Sequence, residues 1–215
     1  MKMEGLIYRD VTVLYEQYLK RPVILCAICS IVAMFVKKFE ALSAISMMPA
    51  MLVFAAFSLF FEDEKDNWEK FLRTLPIKPA KIVWSRMSLF FALAGVGTVF
   101  SFVIGVLTFA FFREQTFAEY LKIPFVGLLV AVIMILLAYP LCHALGELGG
   151  QISSLLFYIV IVAVSILYQA GIVNFGAIVS ANFVAFWCSA AAVLTILPII
   201  SFYLSVFFFN RRKIH

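Results

Sequence analysis

The sequence predicts an all-α integral membrane protein, and three observations predict it. The 215 residues are 65% hydrophobic and only 13% charged, against roughly 45–50% and about 25% in a soluble domain. Six uncharged runs, residues 22–36, 41–61, 87–112, 123–142, 152–169 and 182–210, occupy most of the chain. A helix crosses a bilayer core with about 20 apolar residues rising ~1.5 Å each, so these runs read as six spans. Lys and Arg are also unevenly placed: 13 fall in residues 1–21, 62–86 and the tail, against four (Lys37, Lys38, Arg113, Lys122) on the other side. Basic residues accumulate on cytoplasmic loops, so both termini are expected inside the cell, as an even number of spans requires.

The elements follow in order. Residues 6–19 read as an amphipathic helix, with Ile7, Val11, Leu14, Tyr15 and Tyr18 on one face and Arg9, Asp10, Glu16 and Gln17 elsewhere. Run 22–36 is short for a span, but Lys20, Arg21, Lys37 and Lys38 flank it and are able to snorkel to the two interfaces. A cleaved signal peptide fits this run poorly, because Lys37, Lys38 and Glu40 separate it from the small residues that follow. Run 152–169 continues into the uncharged segment 170–181, which reads as a re-entrant hairpin outside the cell, being too apolar for a surface loop. Pro49, Pro140 and Pro198 fall inside spans, where proline bends a helix. The four cysteines, Cys26, Cys29, Cys142 and Cys188, lie in or beside apolar runs and carry no disulfide pattern.

The span interiors lack Asp, Glu, Lys, Arg and His at their centres, which argues against an ion-driven carrier. Ser30, Ser43, Ser46, Ser58, Thr98, Ser101, Thr108, Ser165, Thr195 and Ser201 read as helix-packing residues that bond between helices. Neither a phosphate-binding loop nor a metal-ligand cluster is present, and no Ser or Cys has a base beside it, so no catalytic or metal residue is assigned. The net charge of +5 follows from the loop asymmetry and gives no reason to invoke nucleic acid.

The densest charge lies in residues 62–86, with five acidic and six basic side chains. Asp66 followed by Glu69 fits a capping box. Trp68, Phe71, Leu72 and Leu75 then share one helical face, while Glu69, Lys70 and Arg73 take the other. Pro76 and Pro79 stop this short helix, and a helical pattern resumes at Ala80 and enters the third span. Such a helix either pads the headgroup region or presents an aromatic knob to a soluble partner. On residues alone, a non-transport scaffold, signalling or immunity subunit that docks its partner through residues 66–75 remains an alternative.

Glu64, Asn67-Trp68-Glu69, Phe71-Leu72, Leu75-Pro76-Ile77, Ile82-Val83 and Ser85 together resemble the ABC-2 type exporter permeases. Within these, the pattern is most similar to the small bacterial branch of phenol-soluble-modulin and related peptide exporters. The resemblance implies that the 62–86 loop supplies a coupling helix and that residues 6–19 form the interface helix along the inner membrane surface. It further implies a separate ABC ATPase subunit carrying ATP and Mg, a second permease copy or paralogue, and a bacterial plasma membrane. By that resemblance the ATPase-coupling surface is Asp66, Trp68, Glu69, Phe71, Leu72, Arg73, Leu75 and Pro76; Arg9, Glu16 and Glu147, the last in a loop that otherwise reads as a plain glycine-rich turn, are secondary candidates. The chain itself is then expected to be no enzyme and to hold no cofactor, and its uncharged spans suit a hydrophobic or amphipathic cargo.

Overall fold

The computed structural model of the chain describes residues 3–19, 48–112, 117–146, 148–153, 155, 159 and 183–211. Among these residues the structure is helical and contains no strand. In chain order the helices are α1 (Met3–Val13), continued by a π-helical turn (Leu14–Leu19), α2 (Met48–Lys65), α3 (Trp68–Thr74), α4 (Pro79–Phe112), α5 (Phe117–Leu145) and α6 (Phe183–Arg211). The expected span 22–36 and the hairpin 170–181 lie outside the described residues, as do nearly all of 152–169 and the start of 41–61. The chain divides into two compact units within α5, between Ile135 and Leu136.

In the first unit α2 packs along α4, and α1 with its π-helical turn packs onto both. Helix α4 is apolar all round, yet one side is buried: Val83, Met87, Phe90, Ala94, Gly97, Ser101, Ile104 and Thr108. Their alternating spacing of four and three residues is the seam of two helices that cross at a small angle, here running antiparallel. The seam collects the small and hydroxylated residues, whereas bulky Val96, Val99, Val103, Val106 and Phe111 point outward. Small side chains let backbones approach, and apolar exposed ones suit a lipid surround. Helix α2 answers with Pro49, Val53, Ala56, Phe60 and Asp63. Phe57 meets the edge of Phe90 at 4.8 Å between ring centres.

Gly97 marks the closest approach. A Cβ at this position would lie 2.6 Å from the Pro49 Cα, where neither backbone is free to yield. Thr98 and Thr108 donate their hydroxyls to carbonyls one turn back, at 2.8 Å each, and Ser58 does the same to Ala55. These hydroxyls therefore serve their own helix, correcting the expectation of bonds between helices. The nearest acceptor to a helical Ser or Thr is the i−3 or i−4 carbonyl.

In the second unit α5 ends at Leu145, and Gly146 takes the left-handed conformation (φ 61°), donating its N–H to the Cys142 carbonyl at 2.8 Å. That is the common way to end a helix, and glycine adopts it without a Cβ clash. Helical backbone resumes over 148–153, with Gly149 so close to α5 that a Cβ would sit 2.2 Å from the Leu141 oxygen. Buried His143 lies edge-on between Tyr139 (4.7 Å) and Phe209 of α6 (5.7 Å).

Gly97→Ala is expected to push α2 from α4 and destabilise the detergent-solubilised protein by about 1–3 kcal/mol. Gly95→Ala, where nothing lies within 4 Å, should be tolerated. Thermal unfolding of the two variants side by side measures the difference.

Candidate functional site

At the charged end of the first unit, three helices bring four ionic side chains into a closed ring. Arg9 of α1 donates from Nη1 to Asp63 of α2 at 2.6 Å and to its neighbour Asp10 at 3.2 Å. Arg86 of α4 reaches the same two carboxylates, Nη2 to Asp63 at 2.5 Å and Nε to Asp10 at 3.4 Å. Charges therefore alternate around the ring and sum to zero. Three members are almost wholly enclosed, with side-chain exposures of 6% for Asp10, 5% for Asp63 and 8% for Arg86; Arg9 keeps 20%. Burial of that degree is tolerable because each carboxylate meets two guanidiniums, whose planar donor forks serve two acceptors at once.

Each position follows from helix geometry. Asp63 prolongs the buried row of α2 that runs through Ala56 and Phe60. Arg86 stands on the same side of α4 as Val83 and Phe90 and also lies over the Phe60 ring, 5.1 Å from its centre. Asp10 sits between Leu6 and Leu14, four residues from each, on the inward side of α1.

Arg9 also carries α3. Its guanidinium lies 4.5 Å from the centre of the Trp68 ring, and Nη2 is 3.8 Å from Asp66. Trp68 in turn tilts against Phe71 at 5.1 Å, while Leu72 is buried at 2% exposure. One guanidinium thus touches α2, α3 and its own helix. Sequence reading placed Trp68, Phe71, Leu72 and Leu75 on a single face. In the structure that set divides: Leu72 turns inward, Trp68 and Leu75 are half-buried, and Phe71 is 47% exposed.

The start of α3 also differs from the capping box read in the sequence. Helix α2 runs on through Lys65, and the Asp66 N–H still bonds back to the Glu62 carbonyl at 2.8 Å. Asn67 then reverses the chain in the left-handed region (φ 52°) and caps α3 without a side-chain bond. Asp66 therefore closes α2 and faces Arg9 instead of capping α3. Asparagine tolerates that conformation better than most residues. At the other end Leu75 is extended (φ −79°, ψ 143°), as a residue before proline prefers, and Pro79 takes the first helical position of α4.

Of the remaining predicted residues, Glu69 is half-buried, Pro76 exposed and Glu16 exposed on the π-helical turn. The Arg73 side chain and all of Glu147 lie outside the described residues. Helix α1 turns Leu6, Asp10 and Leu14 inward and leaves Tyr8, Val11 and Tyr15 exposed. Val11 and Tyr15 thus share an exposed side, as the sequence groups them, while Leu14 departs from that face and joins the inward row with Leu6 and Asp10. Sequence reasoning missed Asp10, Asp63 and Arg86 as site residues. The signal was their register, since each occupies a position that continues a buried apolar row. Among the described residues no group of His, Cys, Asp or Glu is arranged to hold a metal ion.

Two of the described helices, α4 over Pro79–Phe111 and α5 over Gly127–Leu145, are long and apolar enough to cross a membrane. Both are consistent with a helical membrane protein. The chain belongs to the family described as ABC-2 family transporter protein, whose model matches residues 5–210, and so is the membrane component of an ABC transporter. Members of that family normally work with an ABC ATPase partner. No curated protein and no solved structure matches the chain.

Removing one buried partner leaves an uncompensated charge, so Asp63→Ala should cost about 3–5 kcal/mol of stability. Asp66→Ala, whose side chain is 58% exposed, should cost below about 1 kcal/mol although it faces the same arginine. Unfolding of both variants in the same detergent, followed by tryptophan fluorescence, checks the contrast.

Proposed function

We propose that the chain is the membrane-spanning permease subunit of an ATP-driven exporter, with six spans and both termini in the cytoplasm of a bacterial cell. Energy enters through α3, which acts as the coupling helix and seats on a separate ATPase subunit that binds ATP and Mg. Two permease chains, identical or paralogous, form the path, and the cargo is hydrophobic or amphipathic, such as a peptide or lipid-like compound.

The observation that carries this reading is the way α3 is held. A seven-residue helix is too short to be stable by itself. Here Leu72 and the Trp68–Arg9 stack fasten its inner side, leaving Phe71 exposed among Asp66, Lys70 and Thr74. An exposed aromatic residue on a rigid base, ringed by polar groups, is the usual anatomy of a binding anchor. The uncharged spans support the cargo class, since an apolar path has no fixed charge to repel or trap a lipophilic molecule. The 13-to-4 distribution of Lys and Arg supports the orientation, placing α3 and the ring on the cytoplasmic side.

The test is co-purification of the chain with the ABC ATPases of its own cell. Phe71→Ala is expected to weaken that association about tenfold or more while leaving membrane insertion unchanged. Equal binding by the variant would remove Phe71 as the anchor. Absence of binding by the wild-type chain would overturn the exporter reading in favour of a scaffold for some other protein.

A further inference from the structure

Helix α3 has a joint at each end. On the α2 side the chain reverses at one left-handed residue, Asn67, and on the α4 side it is extended at Leu75 and turns through Pro76 before α4 begins at Pro79. The Asn67 side chain makes no cap bond, and the backbone bonds at the joints are local ones, from the Asn67 N–H to the Glu64 carbonyl at 3.3 Å and from the Ile77 N–H to the Leu75 carbonyl at 2.7 Å, so these are the two places where α3 would swing against the spans. Its inner side is held by Leu72, buried at 2%, and by the Trp68 ring under the Arg9 guanidinium. Arg9 is at the same time a member of the buried ring that joins α1, α2 and α4.

We infer that the ring makes α3 and the ends of α1, α2 and α4 one rigid body, and that Arg9 is the positioning residue fastening α3 to it. Resting on the reading of α3 as the docking helix, the inference deepens it: a push on α3 moves three membrane-associated helices together and is not absorbed at the Asn67 and Leu75 joints. The electrostatics favour this behaviour. Swinging α3 away would strip Trp68 from the guanidinium and uncover the ring edge at Arg9. Opening the ring itself would leave a carboxylate or guanidinium buried and unpaired. Translation of the whole body preserves every one of these contacts.

Lysine in place of Arg9 keeps the charge but cannot stack on Trp68 and reach Asp10 and Asp63 together, because an ammonium is a point donor without a planar fork. Asp10→Asn opens the ring from inside and leaves the surface of α3 untouched. These two variants separate positioning from docking.

The experiment uses the full chain with an ABC ATPase of its own cell in lipid nanodiscs, with the four native cysteines replaced and spin labels at Tyr8→Cys on α1 and Lys70→Cys on α3, both exposed positions. Association with the ATPase is scored first by size exclusion, then the label distance is read by pulsed electron resonance with and without ATP and vanadate. With the ring intact the distance should stay fixed to within about 2 Å, while Arg9→Lys and Asp10→Asn should each show a nucleotide-dependent shift of about 5 Å or more. The inference is overturned by a nucleotide-dependent shift in the intact ring, or by a fixed distance in both variants. Loss of the folded protein in both variants would also overturn it, making the ring a folding element only. Failure of the wild-type chain to bind the ATPase removes the docking reading and this inference with it, whereas binding with any of the former outcomes removes the inference alone.

Discussion

Much of the first unit depends on a single electrostatic constraint: two carboxylates and two guanidiniums that are nearly sealed from water must stay together. Asp10, Asp63 and Arg86 are each enclosed by protein, at a point where α2 and α4 lead directly into apolar sequence. Ionised groups in such surroundings are costly unless neutralised at contact distance. The closed arrangement meets that condition, because each aspartate touches both arginines and the net charge is zero. It adds to apolar packing in fixing register: if a helix slid by part of a turn, the ring would open.

A second point of fixation lies deeper in the same helix pair. Gly97 meets the Pro49 backbone so closely that α2 and α4 have one permitted separation there. The ring sets their separation and register at the charged end, and this contact sets them toward the interior. Two such points on one pair of rods determine both the spacing and the crossing, so the bulky side chains between them, Phe57, Phe60 and Phe90 included, fill a gap of settled shape. The outer surface of α4 carries no comparable constraint, and its valines and phenylalanines are interchangeable in the sense that a lipid surround asks only for apolarity.

The sequence made the helical membrane class legible through uncharged run length, and it made α3 legible through its aromatic spacing and the prolines that follow. It did not make the ring legible. In the sequence Arg86 counts only toward orientation, Asp63 is one acid in a charged loop, and Arg9 is a candidate contact for a partner. Composition and run length ignore register, whereas burial depends on it: Asp63 falls on the row of Ala56 and Phe60, and Arg86 on that of Val83 and Phe90. The same blindness hides the inward row of α1. Hydrophobic grouping finds an apolar face, and here the row buried against the other helices has an aspartate at its centre, with Tyr8, Val11 and Tyr15 left outside. Asp66 failed as a helix cap for a related reason, since the rule for caps knows the local sequence but not the arginine that approaches from a helix far away in the chain.

Neutrality gives the ring a property that a single buried ion pair at the end of a helix would lack. A device that transmits force must be stiff internally and cheap to displace as a whole. Internal stiffness follows from alternation, because any relative motion of two members separates opposite charges and brings like charges no closer to a partner. Cheap displacement follows from the zero net charge and from the wrapping of the ring in its own helices: carrying it a short way along the membrane normal leaves its near environment, and hence its solvation, almost unchanged. Arg9 reaches past this wrapping onto Trp68. A contact of the ring is therefore also a contact of α3. In the proposed role that is the place where a short, doubly jointed helix has to be gripped if motion delivered to its exposed side is to arrive at spans that contain no central charge of their own.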